Sequence, residues 1–457
     1  MRTKTVPSQW LRREGRRLDV GPYLSGALEA KIRLEELTVR KDRLDAVTLD
    51  LVNAGRIKRI WVEDEAHGVR FLSSTDILQA DLSNLRLISR KAVRQNPKLI
   101  IHQGWTLITR AGSIGRMAYG RPDMEGMACT EDVLRVIPDP EKVLPGYLYA
   151  YLSSKFGVPQ VISGTYGAII QHIEPQHIAG LPVPRLGEKL ERRVHELVEE
   201  AAESRGEAAV HRERAIAGIT EVLAWSPSAL HSLWTPVSSS KLRRRMDGFH
   251  HTRPVEAARV ALASHPTSAR LGDVVDEVFE PNRGARLKVE DPAFGVPFLS
   301  SSVVFRLDPM ADYLVSRGRT PHLDRLLVHD VDVLIPRSGQ LGGIIGHSVL
   351  PLPSYYGDAA SEHLVRVRCR SAEDAKYIWA VFASQPGYFA AIGTAFGSSI
   401  PSLDCGLLQE LRVPWLEGPA RTKIVQDAAG NVELLAAAIK AEREAVEIVE
   451  RAIEEAT

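Results

Sequence analysis

Cysteine is nearly missing from this 457-residue chain: Cys129, Cys369 and Cys405 are scattered, odd in number, and joined by no Cys-x-x-Cys or Cys/His spacing. That argues against a disulfide framework, indicates no zinc or other metal site, and fits a reduced cytoplasmic interior. Long apolar runs are missing too. None approaches the roughly 18 residues of a membrane-spanning helix, and the arginine-rich stretch Met1 to Arg17 lacks the apolar core of a secretory signal. The chain therefore reads as soluble and cytoplasmic, with no membrane partner. Charge of one sign is the third absence, since 58 Lys+Arg stand against 57 Asp+Glu, a formal net charge of +1. Such a balance neither calls for a nucleic-acid partner nor excludes one, because binding depends on where the charge lies. What is present is ordinary for a folded protein, 44% hydrophobic and 25% charged residues, and the length exceeds what one core supports. Two or three domains are expected.

The chain repeats itself. Phe71-Leu72-Ser73-Ser74 recurs as Phe298-Leu299-Ser300-Ser301, an offset of 227 residues (298 minus 71). The same offset carries Val62-Glu63-Asp64 onto Val289-Glu290-Asp291, Arg43-Leu44 onto Arg270-Leu271, and Arg110, Gly112 and Gly115 onto Arg337, Gly339 and Gly342. Farther on, Tyr147, Ala150, Ser154 and Gly157 match Tyr377, Ala380, Ser384 and Gly387 at an offset of 230 (377 minus 147), as Val183-Pro184 matches Val413-Pro414. Arg17-Leu18-Asp19 resembles Arg245-Met246-Asp247 at 228 (245 minus 17). Because the matches are collinear and the offset drifts by only three residues, one internal duplication accounts for them.

Each copy reads in the same order. A basic, helical lead-in (16–42 and 244–270) precedes short β-branched strands that end at glycine turns, such as 105–109 and 331–335. A helix follows at about 145–155 and 372–384, and Leu181-Pro-Val-Pro184 and Arg412-Val-Pro414 close the globular part. Beyond each proline the pattern becomes helical and highly charged. Leu190, Val194, Leu197, Ala201, Ala208, Ala215, Ile219 and Val222 form one apolar seam, and Ile424, Ala428, Val432, Leu435, Ile439, Val446, Val449 and Ile453 form another. A stripe this narrow on a helix this long wants a partner helix, and each seam can serve the other; packing of each helix on its own domain is the alternative. The expected fold is thus α+β, two similar domains in tandem with their long helices paired as an antiparallel coiled coil. The divisions are 1–184 (first domain and lead-in), 185–224 (first long helix), 225–243 (a linker rich in Ser, Pro and His), 244–414 (second domain and lead-in) and 415–457 (second long helix).

Gly104-Trp-Thr-Leu-Ile-Thr-Arg-Ala-Gly-Ser-Ile-Gly115 is a strand running into a glycine turn with an arginine at its end, and Asp330-Val-Asp-Val-Leu-Ile-Pro-Arg-Ser-Gly-Gln-Leu-Gly342 is its counterpart. The glycines supply backbone freedom, while Arg110 and Arg337 could reach a phosphate or hold the turn through its carbonyls. A nucleotide-phosphate cradle would need the Walker lysine, which the turn lacks. This segment resembles the Gly-Asp-apolar-apolar-x-x-Arg-x-Gly-x-x-Gly stretch in the target-recognition domains of type I restriction-modification specificity subunits. Gly164-Thr-Tyr-Gly-Ala-Ile-Ile-Gln-His-Ile173 leading to Leu181-Pro-Val-Pro184, Gly393-Thr-Ala-Phe-Gly-Ser-Ser-Ile400 leading to Arg412-Val-Pro414, and the opening Leu271-Gly-Asp-Val-Val275 are similar to the same family. The likeness of order extends over almost the whole chain. The first copy departs from it with Gly104-Trp105 in place of Gly-Asp and Leu44-Asp45 in place of Leu-Gly.

The resemblance implies a non-catalytic, cofactor-free subunit with two readers of double-stranded DNA, spaced by the helices, that together recognise a bipartite, asymmetric site. It also implies partner adenine methyltransferase subunits, two of them, with a restriction or translocase subunit as an optional third kind of partner in a phage-defence system. The polar and basic loop residues that would touch DNA are Lys91, Arg94, Arg110, Arg116, Tyr166, Gln171 and His172 in the first copy. In the second they are Arg283, Arg286, Lys288, Arg337, Gln340, Tyr355, Ser398 and Ser399. Arginine and glutamine suit base edges, lysine and serine suit phosphates, and any one of these residues could equally be a solvated surface group. Arg110 and Arg337, present in both copies, are read as structural or phosphate-binding.

Two other classes stay open. An enzyme would need groups that the sequence does not assemble: there is no Asn/Asp-Pro-Pro-aromatic motif, and His172, His177, Glu362 and His363 lack ligand spacing. The nearest nuclease-like set, Asp358 with Asp374 and Lys376, is not repeated, since Leu144 and Gly146 stand at the equivalents of the last two. An interaction scaffold without DNA reading is the other alternative.

Overall fold

The computed structural model describes residues 5–8, 10, 21–24, 26–163, 172–226, 236–242 and 245–456. The chain divides into two compact units, Met1–Gly206 with Ala437–Thr457, and Glu207–Ala436.

In the first unit, the strands Thr48–Val52, Val133–Pro138, Thr106–Thr109 and Met117–Tyr119 form an antiparallel sheet in that order. All four residues of Thr106–Thr109 are buried, which is why the segment is apolar at its centre and β-branched at its ends. A second sheet orders Trp61–Val62, Leu87–Ser89, Gly68–Leu72 and Ala128–Cys129, the last pair running parallel with Phe71 opposite Ala128. Lys41–Arg43 pairs with Pro182–Pro184 and ties the start of the domain to its end.

The second unit repeats this plan. Glu277–Phe279, Leu364–Arg368 and Asp332–Pro336 make the counterpart of the first sheet, with three strands in place of four. Lys288–Val289, Tyr313–Ser316, Gly295–Leu299 and Ala359–Ala360 make the counterpart of the second, with Phe298 opposite Ala359 in parallel. Ser268–Arg270 pairs with Arg412–Pro414. The sequence matches acquire physical meaning here. Tyr147 donates its hydroxyl to the Pro184 carbonyl, and Tyr377 does the same to Pro414. The Ser154 and Ser384 hydroxyls each accept from the amide of the matching glycine, Gly157 and Gly387. A side chain at either glycine would collide with backbone, at 2.3 Å from the Tyr151 oxygen and 1.8 Å from the Val381 oxygen.

The long helices are Glu188–Val222 and Pro419–Glu455, of 35 and 37 residues. The charged lead into each is broken by a glycine with positive φ, Gly187 and Gly418. Within the first unit, Val194, Leu197, Val198, Ala201 and Ala202 share one core with Ala438, Ala441, Ala445, Val449 and Ile453. Arg193 pairs with Glu444 at 3.2 Å, and the almost fully buried Arg205 pairs with Glu442, which also accepts from the Tyr149 hydroxyl. Within the second unit, His211 meets Asp427 at 2.9 Å and the Asn431 amide donates to the Ala208 carbonyl. Gly218 and Gly430 allow close approach, since a Cβ at either would lie within 3 Å of Ile424 or His211. In both units the pairing is antiparallel; of the seams read from the sequence, Val194, Leu197, Ala201, Val449 and Ile453 lie in the shared core, and Val198, Ala202, Ala438, Ala441 and Ala445 join them although that reading left them out. Among the described residues, the lead-ins expected over 16–42 and 244–270 hold the helices Gly21–Leu24 and Ala27–Glu36 in the first unit and Arg253–Ser264 in the second. Among the described residues, no helix is long and apolar enough to cross a membrane.

Candidate nucleic-acid interface

The glycine turns leave the first sheet of each unit from equivalent strands, but their lengths differ. In the first unit Thr109 donates its amide to the Arg116 carbonyl, and Gly115 donates to Thr109. In the second unit it is Gly346, not Gly342, whose amide closes the turn, on the Pro336 carbonyl, while Leu334 bridges to Val349. Gly115 and Gly346 share a φ of +78°, and a Cβ at either would strike an isoleucine, Ile162 at 2.6 Å or Ile392 at 2.4 Å. The equivalence of Gly115 with Gly342 is therefore corrected to Gly346. The offset of 227 that holds up to Pro336 becomes 231 (346 minus 115), so four extra residues lie within the turn of the second copy. This insertion is the main source of the drift seen in the repeat.

Arg110 and Arg337 are both drawn inward. Arg110 donates Nε to the Ile173 carbonyl at 3.1 Å and Nη1 to the Glu131 carbonyl at 3.2 Å, and its Nη2 pairs with Glu174. Glu174 is fixed in turn by Asn53 and caps the helix Pro175–Ile178. Arg337 pairs through Nε with Glu280 at 2.7 Å, and Glu280 occupies the position equivalent to Asn53. The carboxylate comes from different elements in the two copies, and in each the arginine at the base of the turn is neutralised by it and drawn away from solvent. Their inclusion among DNA contacts is corrected on that ground. Tyr355 is corrected too: it closes the short helix Pro353–Tyr355, is 1% exposed, and has a buried hydroxyl. Its equivalent, Met124, is buried as well, so the position belongs to the core.

The other predicted residues divide. Tyr166 and Gln171 lie outside the described residues, and His172 beside them is half-buried, its Nδ1 without a hydrogen-bond partner among the described residues. Lys91 and Arg94 are exposed on the helix Arg90–Gln95, and Arg116 is exposed just past its turn. In the second unit Gln340, Ser398 and Ser399 come together: the Gln340 amide donates to the Ser399 carbonyl at 3.1 Å, and all three are exposed. Around them Leu341, Ile344, Phe396 and Ile400 expose 40%, 37%, 47% and 66% of their surfaces. An exposed apolar cluster flanked by amide and hydroxyl groups suits a partner with both apolar and hydrogen-bonding edges.

Arg283, Arg286 and Lys288 lie along the entry to the four-stranded sheet of the second unit. Arg283 is exposed, while Arg286 pairs with Glu362, donates to the Tyr313 hydroxyl at 2.9 Å and stands over the Phe298 ring. Lys288 stands 3.9 Å from the Tyr313 ring. Burial alone would raise the Glu362 carboxyl, but its backbone bond and Arg286 outweigh that and hold it below the usual range. The first copy has the same arrangement, which reading the residues alone missed. Arg59 pairs with Glu131 and stands over Phe71, and Arg86 lies 3.8 Å from the Trp61 ring. Trp61 and Arg86 occupy the positions of Lys288 and Tyr313, so cation and aromatic have exchanged strands while their stacking is kept. The offset that located the repeat would have found Arg56 and Arg59 from Arg283 and Arg286. For the nuclease-like set, Asp374 is paired with Arg421. Among the described residues, no group of three or more His, Cys, Asp and Glu could hold a metal ion.

No family model and no curated protein matches the chain. Solved structures do. The type I restriction-modification S subunit from M. genitalium is 12% identical, over 92% of this chain and 96% of that one, with a TM-score of 0.39. The HsdS subunit from Thermoanaerobacter tengcongensis is 15% identical, over 92% and 97%, with a TM-score of 0.27. A chain from a type I R-M system solved for its complex assembly and conformational transition is 14% identical, over 91% and 97%, with a TM-score of 0.27.

Proposed function

We propose that this chain is a DNA-specificity subunit: each copy of the domain reads one half of a bipartite site, and the chain directs partner adenine methyltransferase subunits to it. One observation carries the reading. The same strand and glycine turn, with an arginine at its base, occur in both copies, while the turns differ by four residues and in exposed chemistry. A retained frame with a varied tip is what two readers of different sequences need. The major groove presents a distinct donor, acceptor and methyl pattern for each base pair, which Gln340 and its apolar neighbours can match in one half. Exposed Arg116, Lys91 and Arg94 offer a basic surface in the other.

Affinity in such complexes comes largely from phosphate neutralisation. With a formal charge of +1, the chain relies on its partners for much of that. On this reading it performs no chemistry and works in the cytoplasm. The test is the methylome of the source cell with and without the gene. The expected result is loss of adenine methylation at one asymmetric, two-part motif, restored by the gene in trans. An unchanged methylome in a cell that carries an active partner methyltransferase overturns the proposal, as does methylation or cleavage by the purified chain alone.

A further inference from the structure

The repeated Arg-x-Asp motif of the lead-in is not used by the reading above. Arg17-Leu18-Asp19 lies outside the described residues, but the second copy, Arg245-Met246-Asp247, is described. We infer that Arg245 is a positioning residue for the second reader, locking the base of the loop 396–402 so that this loop can brace the glycine turn. The inference rests on the proposed DNA-reading role only for what the turn is for.

The bonds run in one direction. Arg245 holds Asp247 through Nε at 2.6 Å and donates Nη1 to the Thr394 carbonyl at 3.0 Å and Nη2 to the Ala395 carbonyl. Asp247 in turn accepts from the His250 amide at 3.0 Å, and His250 Nδ1 donates to the Gly393 carbonyl at 2.7 Å. Arg259, on the helix Arg253–Ser264, donates to that same carbonyl at 3.0 Å. Three consecutive carbonyls just past the C-terminal end of the helix Gln385–Ile392 are thus gripped by the lead-in. Cations suit this end of a helix, toward which its dipole points its negative pole. The approach is close: a Cβ at Gly393 would lie 2.4 Å from Val255.

Immediately after the grip the loop begins, and it is closed at its neck. Phe396 and Ser402 exchange both backbone hydrogen bonds at 2.9 Å. From this loop the Pro401 carbonyl accepts from Gly339, the Ser399 carbonyl accepts from Gln340, and the Ser402 hydroxyl meets that of Ser338 at 2.7 Å. The extra residues of the turn therefore lean on a loop whose root is set by Arg245. A cap that merely finishes a helix would need one carbonyl bonded; here three successive ones are fixed, and the next residues carry the turn.

The experiment compares Arg245→Ala, Arg245→Lys and Arg253→Ala, the last removing an exposed charge from the same lead-in, in the full chain bound to its methyltransferase. Hydrogen exchange should quicken about tenfold at Phe396, Ser402 and Gly339 in Arg245→Ala, the scale of losing one cap. It should stay unchanged in strand Asp332–Pro336, recover in part with lysine, and not move in Arg253→Ala. In the methylated-site profile, the bases of one half should become degenerate and the other half stay intact. Exchange that rises throughout the unit, or nowhere, overturns the inference, as does equal loss in both halves. If the wild-type complex has no sequence preference, the DNA-reading proposal fails, while the exchange result still decides the grip.

Discussion

Arg135 and Arg366 occupy equivalent places in the two copies, and each is wholly buried with its guanidinium bonded to four backbone carbonyls. Arg135 donates to Leu99, Cys129, Thr130 and Val133, and Arg366 to Leu326, Ala360, Ser361 and Leu364, each carbonyl the counterpart of the other copy's. This side chain ties the strand that carries it, in the first sheet of each unit, to carbonyls in and beside the second sheet. Burial pushes the Arg366 guanidinium down to about 10, the Asp332 carboxylate opposing it, so it is still cationic at neutral pH.

Replacing Arg366 with alanine should therefore be severe. Each buried carbonyl left without a partner costs about 1–3 kcal/mol, so the loss should reach at least about 3 kcal/mol. Urea unfolding would show it as a lowered midpoint. Lysine, with three donors, should recover only part. A shift under about 1 kcal/mol would mean that water replaces the arginine at little cost.

Gly346→Ala and Gly342→Ala should separate sharply. Both glycines have positive φ, but only at Gly346 would the new methyl meet a side chain, Ile392 at 2.4 Å, whereas Gly342 has open space. Left-handed backbone costs about 1–2 kcal/mol for alanine at either site, and overpacking adds about 1–3 kcal/mol at Gly346. Thermal unfolding should rank them in that order; equal values would undo the assignment of Gly346 as the turn's closing residue.

Much of the architecture was legible because a duplicated chain carries its own comparison. Periodicity located both long helices, and the Tyr147/Tyr377 and Ser154/Ser384 matches marked real hydrogen bonds. The turns misled because a constant offset was carried through a four-residue insertion, pairing Gly115 with Gly342. Arg135 and Arg366 gave no signal: an arginine inside an apolar strand reads as an outward-facing residue, and only the fold brings four carbonyls around it. Tyr355 was misread for the opposite reason. A tyrosine among prolines and glycines looks exposed, yet a short helix turns it into the core.

Charging the helix seam should unfold the first unit. Val449 is fully buried in the core it shares with Val194 and Ala445, and an unpaired carboxylate there costs several kcal/mol. Val449→Asp should be recovered as aggregate or show a collapsed unfolding transition by circular dichroism. Arg451→Ala, two residues on and exposed, should behave as wild type.

Acid should weaken the second unit through His250. Burial first, and Arg259 next, push its imidazole down to about 4, with Arg245 and His251 adding to the effect and the Gly393 carbonyl opposing it. The unfolded chain titrates near 6.5, so between these values it binds more protons than the folded one. Its contribution is intact above about pH 6.5 and is lost as pH falls to about 4. His250→Asn should flatten the slope of stability against pH in that window; an unaltered slope would show that other groups set it.

Gln340→Ala is the most direct probe of reading. A good bidentate contact is worth about 1–3 kcal/mol of discrimination, so one base of one half-site should become tolerant while the total methylation at permissive sites persists. A site profile identical to wild type would remove Gln340 from the readout.

The four extra residues also bear on inheritance. The two halves of the chain repeat one plan, and the added residues lie in a turn and not in a paired strand, so a crossover between the halves would join strands that pair in the same order. Each hybrid would keep the strand order that both copies share and would display a different tip. A length change confined to that place lets such a lineage acquire a new preference in a single genetic event, without first passing through a chain that cannot fold.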